Sequence, residues 1–411
     1  MYYIKTSVFN IINPGNDIDI KPSIQYAVND ATDGDTIIIP AGKFIFNGVI
    51  NISKFISIKG AGKGKTILYR SKETPDSVLE GWQSFFNYNT NSRVSSGIIV
   101  RDFTCKSKDP SRILNDGLSM AKDKAIAFNK CVDFIVTGCG FENFGLSPIN
   151  VLHHDDLSRG LIYGNTFKDN YKGPDAQGLG YGVAVFGENI QWTPAPEFGT
   201  ENFIFIEDNE FDGHRHAVTA GGCGRYVFRN NNIKRNLIAQ AIDAHEAREV
   251  TGLNYFSTRA FEIYNNTITN TTFKDGTPIV PGKNAQDLSN NAILIRGGEG
   301  VIYNNTINGY RFGVGIINFE KTGPQSYPIP YQIGCESGMN FGLNHTGTDG
   351  TNAEGDLFVW DNNFTPYVDP AHSSLAFNNF QPDYFKEKRD YHLVKKPGYT
   401  PYTYPHPKTN G

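Results

Sequence analysis

A short phrase of residues recurs along this chain of 411 residues, and it limits the fold more than any other feature of the sequence. Each copy contains an apolar strand, a turn with an asparagine, and then Phe or Ile two residues after that asparagine. Chance asparagines in surface loops would not keep an apolar residue at this fixed distance. The phrase predicts a solenoid, in which every coil repeats the same strand and the same turn. The aligned asparagines are Asn165, Asn209, Asn231, Asn266, Asn305 and Asn362.

A second apolar column precedes these phrases and predicts the inward face of another strand. Its members are Ile126, Ile149, Val183, Val218, Ile242, Ile293 and Val314. Stacked coils place neighbouring parallel strands about 4.8 Å apart. At that distance the amides of the asparagine column can bond to the backbone of the next coil, and asparagine also tolerates the left-handed bends that end strands. The two columns therefore predict parallel coils with an asparagine ladder.

The beginning of the chain has a helical period instead of a strand period. One face of the predicted helix collects Ile24, Ala27, Val28 and Ala31, and Pro22 suits its first turn. Such a helix would cap the first coil and cover the open edge of the stacked sheets. The predicted fold is all-β: a single-stranded right-handed parallel β-helix (solenoid) with an N-terminal capping helix and an asparagine ladder. We expect residues 1–364 to form the β-helix domain with its cap, and residues 365–411 to form an extended C-terminal strap packed on the helix.

Composition narrows the classes of partner. A formal net charge of -4 argues against an overall affinity for nucleic acid. The longest apolar runs have the length of strands, so no membrane insertion is predicted. The five cysteines show no zinc-ligand spacing, and we expect them to be mainly buried packing residues. From the fold, we expect a secreted or cell-surface protein, extracellular or periplasmic, whose export signal is absent from this sequence; homo-oligomerisation stays open.

The helix cap, the segment GDTIIIPAGKFIFNG at residues 34–48 and the YNNTI phrases at residues 264–268 and 303–307 resemble the pectin-lyase-like right-handed parallel β-helix superfamily. The resemblance covers roughly Pro14 to Phe364. This superfamily contains polysaccharide lyases, glycoside hydrolases, uronate epimerases and phage tailspikes. The resemblance therefore implies a carbohydrate partner more than it implies one reaction.

Polar chemistry is concentrated on two adjacent coils of the second column. Side chains alternate along a strand, so residues one and three places after an inward position face outward. This alternation places Asp243 and His245 on the outward side of one strand, with Arg296 beside His245 one coil later. Small residues surround the three side chains and predict a shallow trough of the kind that an extended sugar chain needs. These small residues are Ala217, Gly221, Ala241 and Ala292.

Basic and aromatic residues gather at the corner that precedes this strand. They are His214, Arg215, His216, Lys234, Arg235, Tyr310 and Arg311. A positive rim suits a uronate-containing chain, because removal of the proton beside a sugar carboxylate requires that the carboxylate be neutralised. We therefore expect β-elimination or epimerisation of an acidic polysaccharide, which is the predicted substrate.

Each candidate residue has a predicted role. His245 is the candidate general base or acid, because its ordinary pKa lies near working pH, and Asp243 orients it or binds substrate. His216 and Tyr310 are the further catalytic candidates, for a second proton transfer. The predicted substrate-binding residues are Arg296, Arg215, Lys234, Arg311 and His214. Every one of these residues also has a purely structural explanation, such as a turn contact, a bond to the neighbouring coil or a solvated surface stripe.

The segment Ala241–Glu246 resembles the Asp-Pro-His-Glu segment of bacterial mannuronan C5-epimerases, in which the aspartate and the histidine belong to the active site. Here Ala244 stands in the place of the proline, and Gln240 stands where those enzymes have a tyrosine. The resemblance implies active-site roles for Asp243 and His245.

No metal ligand is predicted with certainty. His153, His154, Asp155 and Asp156 are consecutive in a loop and cannot all face one ion. Calcium is the cofactor that Glu246, Glu249 and Glu262 would suit.

Two other functions stay open at this point. A glycoside hydrolase needs two carboxylates on opposite sides of a bond, and Asp243 with Glu262 or Asp212 would supply them. A non-catalytic glycan-binding adhesin or tailspike-like module would also suit so repetitive a fold.

Overall fold

The structure, a computed structural model, consists of two compact units. The N-terminal unit comprises Met1–His153, Arg159–Ala184 and Asp208–Arg215, and the C-terminal unit comprises His154–Ser158, Val185–Glu207 and His216–Gly411. The described residues are 7–75, 77–78, 83–108, 122–170, 180–188, 196–236, 240–245, 248–250, 253–255, 257–270, 291–317, 357–365, 376–380, 382, 385–388 and 390–410.

Three parallel sheets, of twelve, ten and ten strands, contain most of the strands. In the N-terminal unit the first sheet has β1 (Val8–Asn10), β2 (Thr36–Ile38), β5 (Ser57–Lys59), β8 (Ile99–Arg101), β11 (Phe134–Thr137) and β14 (Gly160–Tyr163). The second sheet has β3 (Gly42–Ile45), β6 (Thr66–Tyr69), β9 (Thr104–Lys106), β12 (Gly140–Glu142), β15 (Thr166–Lys168) and β18 (Glu210–His214). The third sheet has β4 (Ile50–Ile52), β7 (Ser84–Asn89), β10 (Lys124–Asn129), β13 (Ile149–Leu152) and β16 (Tyr181–Phe186), whose last two residues belong to the C-terminal unit.

The C-terminal unit repeats the same three-sheet coil. Its first sheet has β17 (Ile204–Glu207), β20 (Arg225–Arg229), β25 (Ala260–Tyr264), β28 (Glu299–Tyr303), β31 (Leu357–Trp360) and β34 (Tyr391–His392). Its second sheet has β21 (Asn232–Asn236), β26 (Thr267–Thr269), β29 (Thr306–Asn308) and β32 (Asn363–Thr365). Its third sheet has β19 (His216–Gly221), β22 (Ile242–Ala244), β27 (Asn291–Ile295), β30 (Phe312–Ile316) and β33 (Phe377–Asn379). The strands β23 (Arg248–Val250) and β24 (Leu253–Tyr255) form a separate antiparallel hairpin.

The predicted right-handed parallel β-helix is confirmed, and so is its asparagine ladder. In the N-terminal unit the backbone N–H of Asn165 donates to Oδ1 of Asn209 at 3.0 Å. In the C-terminal unit the N–H of Asn231 donates to Oδ1 of Asn266 at 2.9 Å, and Asn266 donates in the same way to Asn305. All of these ladder amides are buried, so each one satisfies backbone groups that would otherwise lack a partner away from water.

The left-handed bend lies one residue before the ladder asparagine, which corrects the expectation that the ladder asparagine itself adopts it. Asn230, Asn265 and Asn304 have φ values of 55°, 56° and 53°. Asp208 and Gly164 occupy the same position in the N-terminal unit with φ of 56° and 65°. These residue types tolerate positive φ at low cost, and the ladder residue beside them remains free to bond to the next coil.

The interior of each unit is filled by apolar rows that run from coil to coil. Val218, Ile242, Ile293 and Val314 are in direct register on the third sheet, as the second column predicts, and all four are buried. In the N-terminal unit, the ring of Phe167 stacks on that of Phe211 with centroids 4.6 Å apart. Burying each such side chain stabilises the fold by roughly 1.5–3 kcal/mol relative to leaving it in water.

A helix follows β1 near the start of the N-terminal unit, where the sequence predicts it. Helix α1 spans Lys21–Asp30, has proline in its first turn and buries Ile24, Ala27 and Val28. The side chain of Lys54 donates to the carbonyls of Val28 and Asn29 at 3.0 and 2.9 Å. A cation at this end of the helix satisfies carbonyls that have no partner within it.

The C-terminal segment 391–410, here called the strap, packs on the first sheet of the C-terminal unit. The guanidinium of Arg229 donates to the carbonyl oxygens of Tyr402 and Thr403 at 2.7 and 2.9 Å. The same guanidinium forms a fully buried ion pair with Glu207, at 2.6 Å between Nη2 and Oε2. The backbone N–H of His406 donates to the other oxygen of Glu207 at 2.9 Å. The strap therefore covers a charged pair and bonds directly to both of its members.

Four cysteines, Cys105, Cys131, Cys139 and Cys223, are buried free thiols, as expected for packing residues, and Cys335 lies outside the described residues. In the part of the chain that the structure describes, no helix has the length and apolarity to cross a membrane.

Candidate functional site

Four of the residues singled out by the sequence, His216, Asp243, His245 and Arg296, lie together on the third sheet of the C-terminal unit. Asp243 lies in β22, directly between Thr219 of β19 and Leu294 of β27 in the register of the sheet. The backbone hydrogen bonds continue this register beyond β22. The N–H of His245 donates to the carbonyl of Ala220, and that of Arg296 donates to Ala244. His245 and Arg296 therefore occupy the same row, one coil apart, as the strand alternation predicts.

Arg296 binds Asp243 through two N–H groups. Its Nε donates to Oδ1 of Asp243 at 2.9 Å, and its Nη2 donates to Oδ2. This two-point contact fixes the planes of both groups and is the strongest form of a charged hydrogen bond. The Asp243 carboxylate has no exposed surface, whereas 9% of the Arg296 side chain remains exposed.

His216 approaches the same carboxylate from the first residue of β19. Its Nδ1 lies 2.5 Å from the carbonyl oxygen of Gln240, so Nδ1 must carry the hydrogen, because a carbonyl can only accept. Its Nε2 then points toward Asp243, at 3.8 Å from Oδ2. The imidazole of His216 is buried, so it is placed to hold Asp243 and cannot reach a ligand at the surface in this arrangement.

The charge on Asp243 is maintained by its neighbours. Burial alone would raise the pKa of this carboxyl group, because a carboxylate is poorly solvated away from water. The positive charge of Arg296, together with that of His216 and His245 when these rings are protonated, outweighs burial and holds the pKa of Asp243 well below its ordinary value. The site therefore contains a permanent negative charge bordered by two imidazoles.

The shallow trough expected along this row is not open in the structure. Thr219, Asp243 and Leu294 occupy the first outward row, and each is less than 4% exposed. Alternation along a strand fixes which side a residue faces, but it does not fix what lies above that side. These three residues of the first outward row are thus enclosed, and Asp243 lies behind the surface.

The second outward row is the accessible one. Phe186, His245, Arg296 and Ile317 are all half-buried, with solvent contact on part of each side chain. Gly221 lies in the same row, between Phe186 and His245. An apolar ring, an imidazole and a guanidinium therefore line one edge of the third sheet.

Two predicted site residues are interior. His214 is buried in the N-terminal unit, where its Nε2 lies 3.1 Å from Nδ2 of Asn170 and its ring meets Phe211 edge-on. Tyr310 is buried in the C-terminal unit, its hydroxyl has no partner among the described residues, and burial raises its pKa far above the ordinary value. Substrate binding by His214 and proton transfer by Tyr310 do not fit these positions, because neither side chain reaches solvent.

The remaining basic candidates lie on other elements. Arg215 is half-buried at the end of the N-terminal unit. Lys234 is exposed on β21 of the second sheet, and Arg311 precedes β30, with its guanidinium 5.4 Å from the Phe312 ring centre. Of the predicted cations, Arg296 is the one that the structure places at the Asp243 carboxylate.

The carboxylates of Asp243 and Glu262 are not brought together as a pair suited to hydrolysis. Glu262 lies on the first sheet, where its oxygens accept from Gly199 N–H at 2.7 Å and Tyr399 O–H at 2.6 Å, whereas Asp243 lies on the third sheet. Glu262 therefore does not face Asp243 across a shared cleft. Asp212, the other candidate, is half-buried in the N-terminal unit.

The predicted metal ligands are only partly described. Glu246 and the side chain of Glu249 lie outside the described residues, and Glu262 is engaged as above. Asp155 accepts the N–H of Glu188 at 2.6 Å. Among the described residues, no group of three or more His, Cys, Asp or Glu side chains is arranged to hold a metal ion.

Two residues of the site were not found by sequence reasoning. The Gln240 carbonyl fixes His216, but a backbone carbonyl has no signature in the sequence. Phe186 lies on the accessible row. Its position three places after the inward Val183 predicts this placement.

A comparison with solved structures found several that are similar to this chain. The chain is similar to ORF18 of Geobacillus virus E2 (12% identity, TM-score 0.43, 76% of this chain and 57% of the other). It is also similar to the catalytic unit of a GH87 α-1,3-glucanase from Streptomyces thermodiastaticus (11%, 0.44, 90% and 61%). A third similar structure is an endo-xylogalacturonan hydrolase from Aspergillus tubingensis (10%, 0.45, 96% and 98%).

The chain thus spans about three fifths of the length of the first two of these structures. Sequence identities of 10–12% and TM-scores of 0.43–0.45 are too low to infer the activity of this chain from these structures. No protein-family model and no curated protein matches the chain.

Proposed function

We propose that this protein is a secreted carbohydrate-active enzyme that acts on a uronate-containing polysaccharide, by β-elimination or by epimerisation at the second outward row. The observation that carries the proposal is the buried, ionised Asp243, bound at two points by Arg296 and bordered by His216 and His245. The resemblance to mannuronan C5-epimerases at residues 241–246 points to the same two side chains, Asp243 and His245.

His245 is the proton-transfer residue in this proposal. It is half-buried, so part of it reaches solvent, and it acts electrostatically on the Asp243 carboxylate; imidazole exchanges protons near neutral pH. When His245 takes the proton beside the sugar carboxylate, the fixed negative charge of Asp243 stabilises the imidazolium that forms. His216 is a positioning residue behind Asp243.

Arg296 supplies the positive charge on the substrate side. Part of the Arg296 side chain is exposed, and in this proposal its positive charge lies against the carboxylate of the bound sugar. Neutralising that carboxylate stabilises the negative charge that develops when the neighbouring proton leaves. In elimination the C4–O glycosidic bond then breaks, a C4–C5 double bond forms, and the released oxygen takes a proton from the His245 imidazolium or from water. In epimerisation no bond to oxygen breaks, and water returns a proton to C5 on the opposite face.

The test is turnover of alginate, polygalacturonate and glycosaminoglycans, followed by absorbance of unsaturated uronate and by NMR of the C5 configuration. We expect His245→Ala to lower kcat by about 10²–10⁴-fold, the usual contribution of a positioned acid or base. The matched control is His392→Ala, since this half-buried histidine stacks on Phe358 at 4.5 Å on the first sheet.

The outcomes separate the candidate functions. Turnover that is lost in the His245 variant while binding persists supports catalysis at this row. Binding without turnover in the unmodified protein would instead support a glycan-binding module. New reducing ends without unsaturation would indicate hydrolysis and contradict the proposal.

A further inference from the structure

Gly221 is a glycine that the backbone does not require. It is the last residue of β19, and its φ lies outside the left-handed region that favours glycine. A Cβ built on Gly221 would lie 3.5 Å from Cε1 of Phe186 and 3.7 Å from Cβ of His245. These are ordinary van der Waals distances, so a methyl group fits at this position without displacing anything.

Other described glycines with ordinary φ differ from Gly221 in this respect. Each of them would place a Cβ within 3.0 Å of another atom, and therefore needs to be glycine for close packing. They are Gly60, Gly140, Gly160, Gly187, Gly224, Gly297, Gly300, Gly313 and Gly315. Glycine within a strand weakens it, and where packing does not demand glycine, close approach of a ligand is a known reason for its presence.

The two side chains that flank Gly221 suit a sugar. Phe186 and His245 are both half-buried on the second outward row, and both keep part of their surface in solvent. The face of an aromatic ring packs against the C–H face of a pyranose, while an imidazole exchanges hydrogen bonds with hydroxyl groups. Gly221 is itself buried, and the space of its missing side chain lies between these two kinds of contact.

We propose that Gly221 is the floor of a subsite for one sugar ring, with Phe186 as its stacking wall and His245 as its polar wall. This inference rests on the proposed function, since it places one ring of the polysaccharide beside the proton-transfer residue. The missing side chain is what allows the ring to approach the sheet closely enough for His245 to reach it.

A size series at this position tests the subsite. Gly221→Ala and Gly221→Val should fold, and replacing glycine at a compatible backbone position leaves the melting temperature unchanged or raises it. We expect affinity for oligosaccharides to fall with side-chain size, by about tenfold or more for valine, as one added group in a fitted pocket can produce. Phe186→Leu should also weaken binding, because it keeps the apolar volume and removes the ring face.

The measurement is calorimetric titration with oligogalacturonate and oligomannuronate, and with neutral xylo- and gluco-oligosaccharides as a second set. Leu393→Ala serves as the control, since Leu393 is an exposed apolar residue that follows β34 of the first sheet. Its affinity should stay within about twofold of the unmodified protein, because small surface changes away from a contact have small effects.

Each outcome decides a different claim. Weaker binding that follows side-chain size, with unchanged melting temperature, supports the subsite. Acidic sugars that bind equally to the valine variant overturn the subsite and leave the proposed function intact. If only neutral sugars bind, and the valine variant no longer binds them, the subsite is supported and uronate specificity is overturned. If no sugar of either set binds, both proposals are overturned.

Discussion

Two arginine–carboxylate pairs are buried in the C-terminal unit, and their surroundings differ. On the first sheet, the strap encloses Glu207 and Arg229, neither of which has any exposed surface. Carbonyl oxygens of the strap and the hydroxyl of Tyr264 accept from Arg229. On the third sheet, Asp243 is equally buried, but Arg296 keeps partial solvent contact and two histidines border the carboxylate.

This difference separates a pair that holds the structure from one suited to chemistry. Arg229 is surrounded by fixed acceptors, so its charge contributes to the attachment of the strap. Asp243 is instead bordered by the imidazoles of His216 and His245, and 9% of the Arg296 side chain is exposed. Burial of an ion pair does not by itself indicate function; the titratable neighbours and the access do.

The largest expected effect on stability is at the ion pair of Glu207 and Arg229, which the strap encloses. Arg229→Met leaves the carboxylate of Glu207 buried without its counter-ion. Removing one partner of a buried pair typically lowers the free energy of unfolding by about 3–5 kcal/mol. Urea unfolding should show this loss, and limited proteolysis should cleave the strap more rapidly.

The double variant Arg229→Met with Glu207→Gln is the control for this change, because it removes the unpaired charge. It should recover much of the lost stability. A single variant within about 1 kcal/mol of the unmodified protein would contradict an anchoring role, because that is the usual range for an exposed pair.

A smaller effect on stability is expected at the site pair. Asp243→Asn keeps the shape of the side chain and loses its charge. Because Arg296 has partial solvent contact, we expect a loss of about 2–3 kcal/mol, near the value of hydrogen bonds to a charged group. Turnover should fall far more than it does in the Arg229 variant.

The Arg229 variant should lose more stability, and the Asp243 variant should lose more activity. This opposite order of the two losses is the sharpest test of the comparison. Both quantities can be measured on the same preparations by urea unfolding and by initial rates. If both variants lost the same stability and Asp243→Asn kept its activity, both ion pairs would have a purely structural role.

The smallest expected effect is a difference in pH dependence. Asp243 has a lowered pKa in the folded protein, so it binds protons more readily when unfolded. Its contribution to stability is therefore complete above the unfolded value of about 3.8 and is lost as pH falls toward the lower folded value. One group contributes a slope of at most about 1.4 kcal/mol per pH unit.

Urea unfolding measured from about pH 5 down to the acid limit of folding checks this difference. The loss of stability with falling pH should be less steep for Asp243→Asn than for the unmodified protein, because the amide binds no proton in either state. Identical slopes would mean that Asp243 is not held ionised in the folded state.

Much of the fold was predictable because its signals are local and repeated. The apolar columns, the ladder and the cap each depend on residues within one coil, and the register of Val218, Ile242 and Ile293 follows from stacking them. The adjacency of Asp243 and Arg296 was predictable for the same reason. The burial of Thr219 and Asp243 was not, because strand alternation does not determine how much of an outward side chain is exposed.

The ion pair of Glu207 and Arg229, by contrast, was not predicted, although the aligned phrases contain both residues. The residue two places before each ladder asparagine forms a column in register on the first sheet: Glu207, Arg229, Tyr264, Tyr303 and Trp360. A glutamate beside an arginine in such a column predicts an ion pair, and the aromatic residues predict a stack. Tyr303 and Trp360 indeed stack with centroids 4.4 Å apart.

The left-handed bend before the ladder determines where the protein can vary in length. Only Asn265 and Asn266 lie between β25 and β26, and only Asn304 and Asn305 lie between β28 and β29. An inserted residue there would break both the bend and the ladder. Longer connections occur at the two ends of third-sheet strands instead, as between β26 and β27 and between β30 and β31. Insertions can therefore remodel the borders of the third sheet, while the short connections between the first and second sheets preserve the winding.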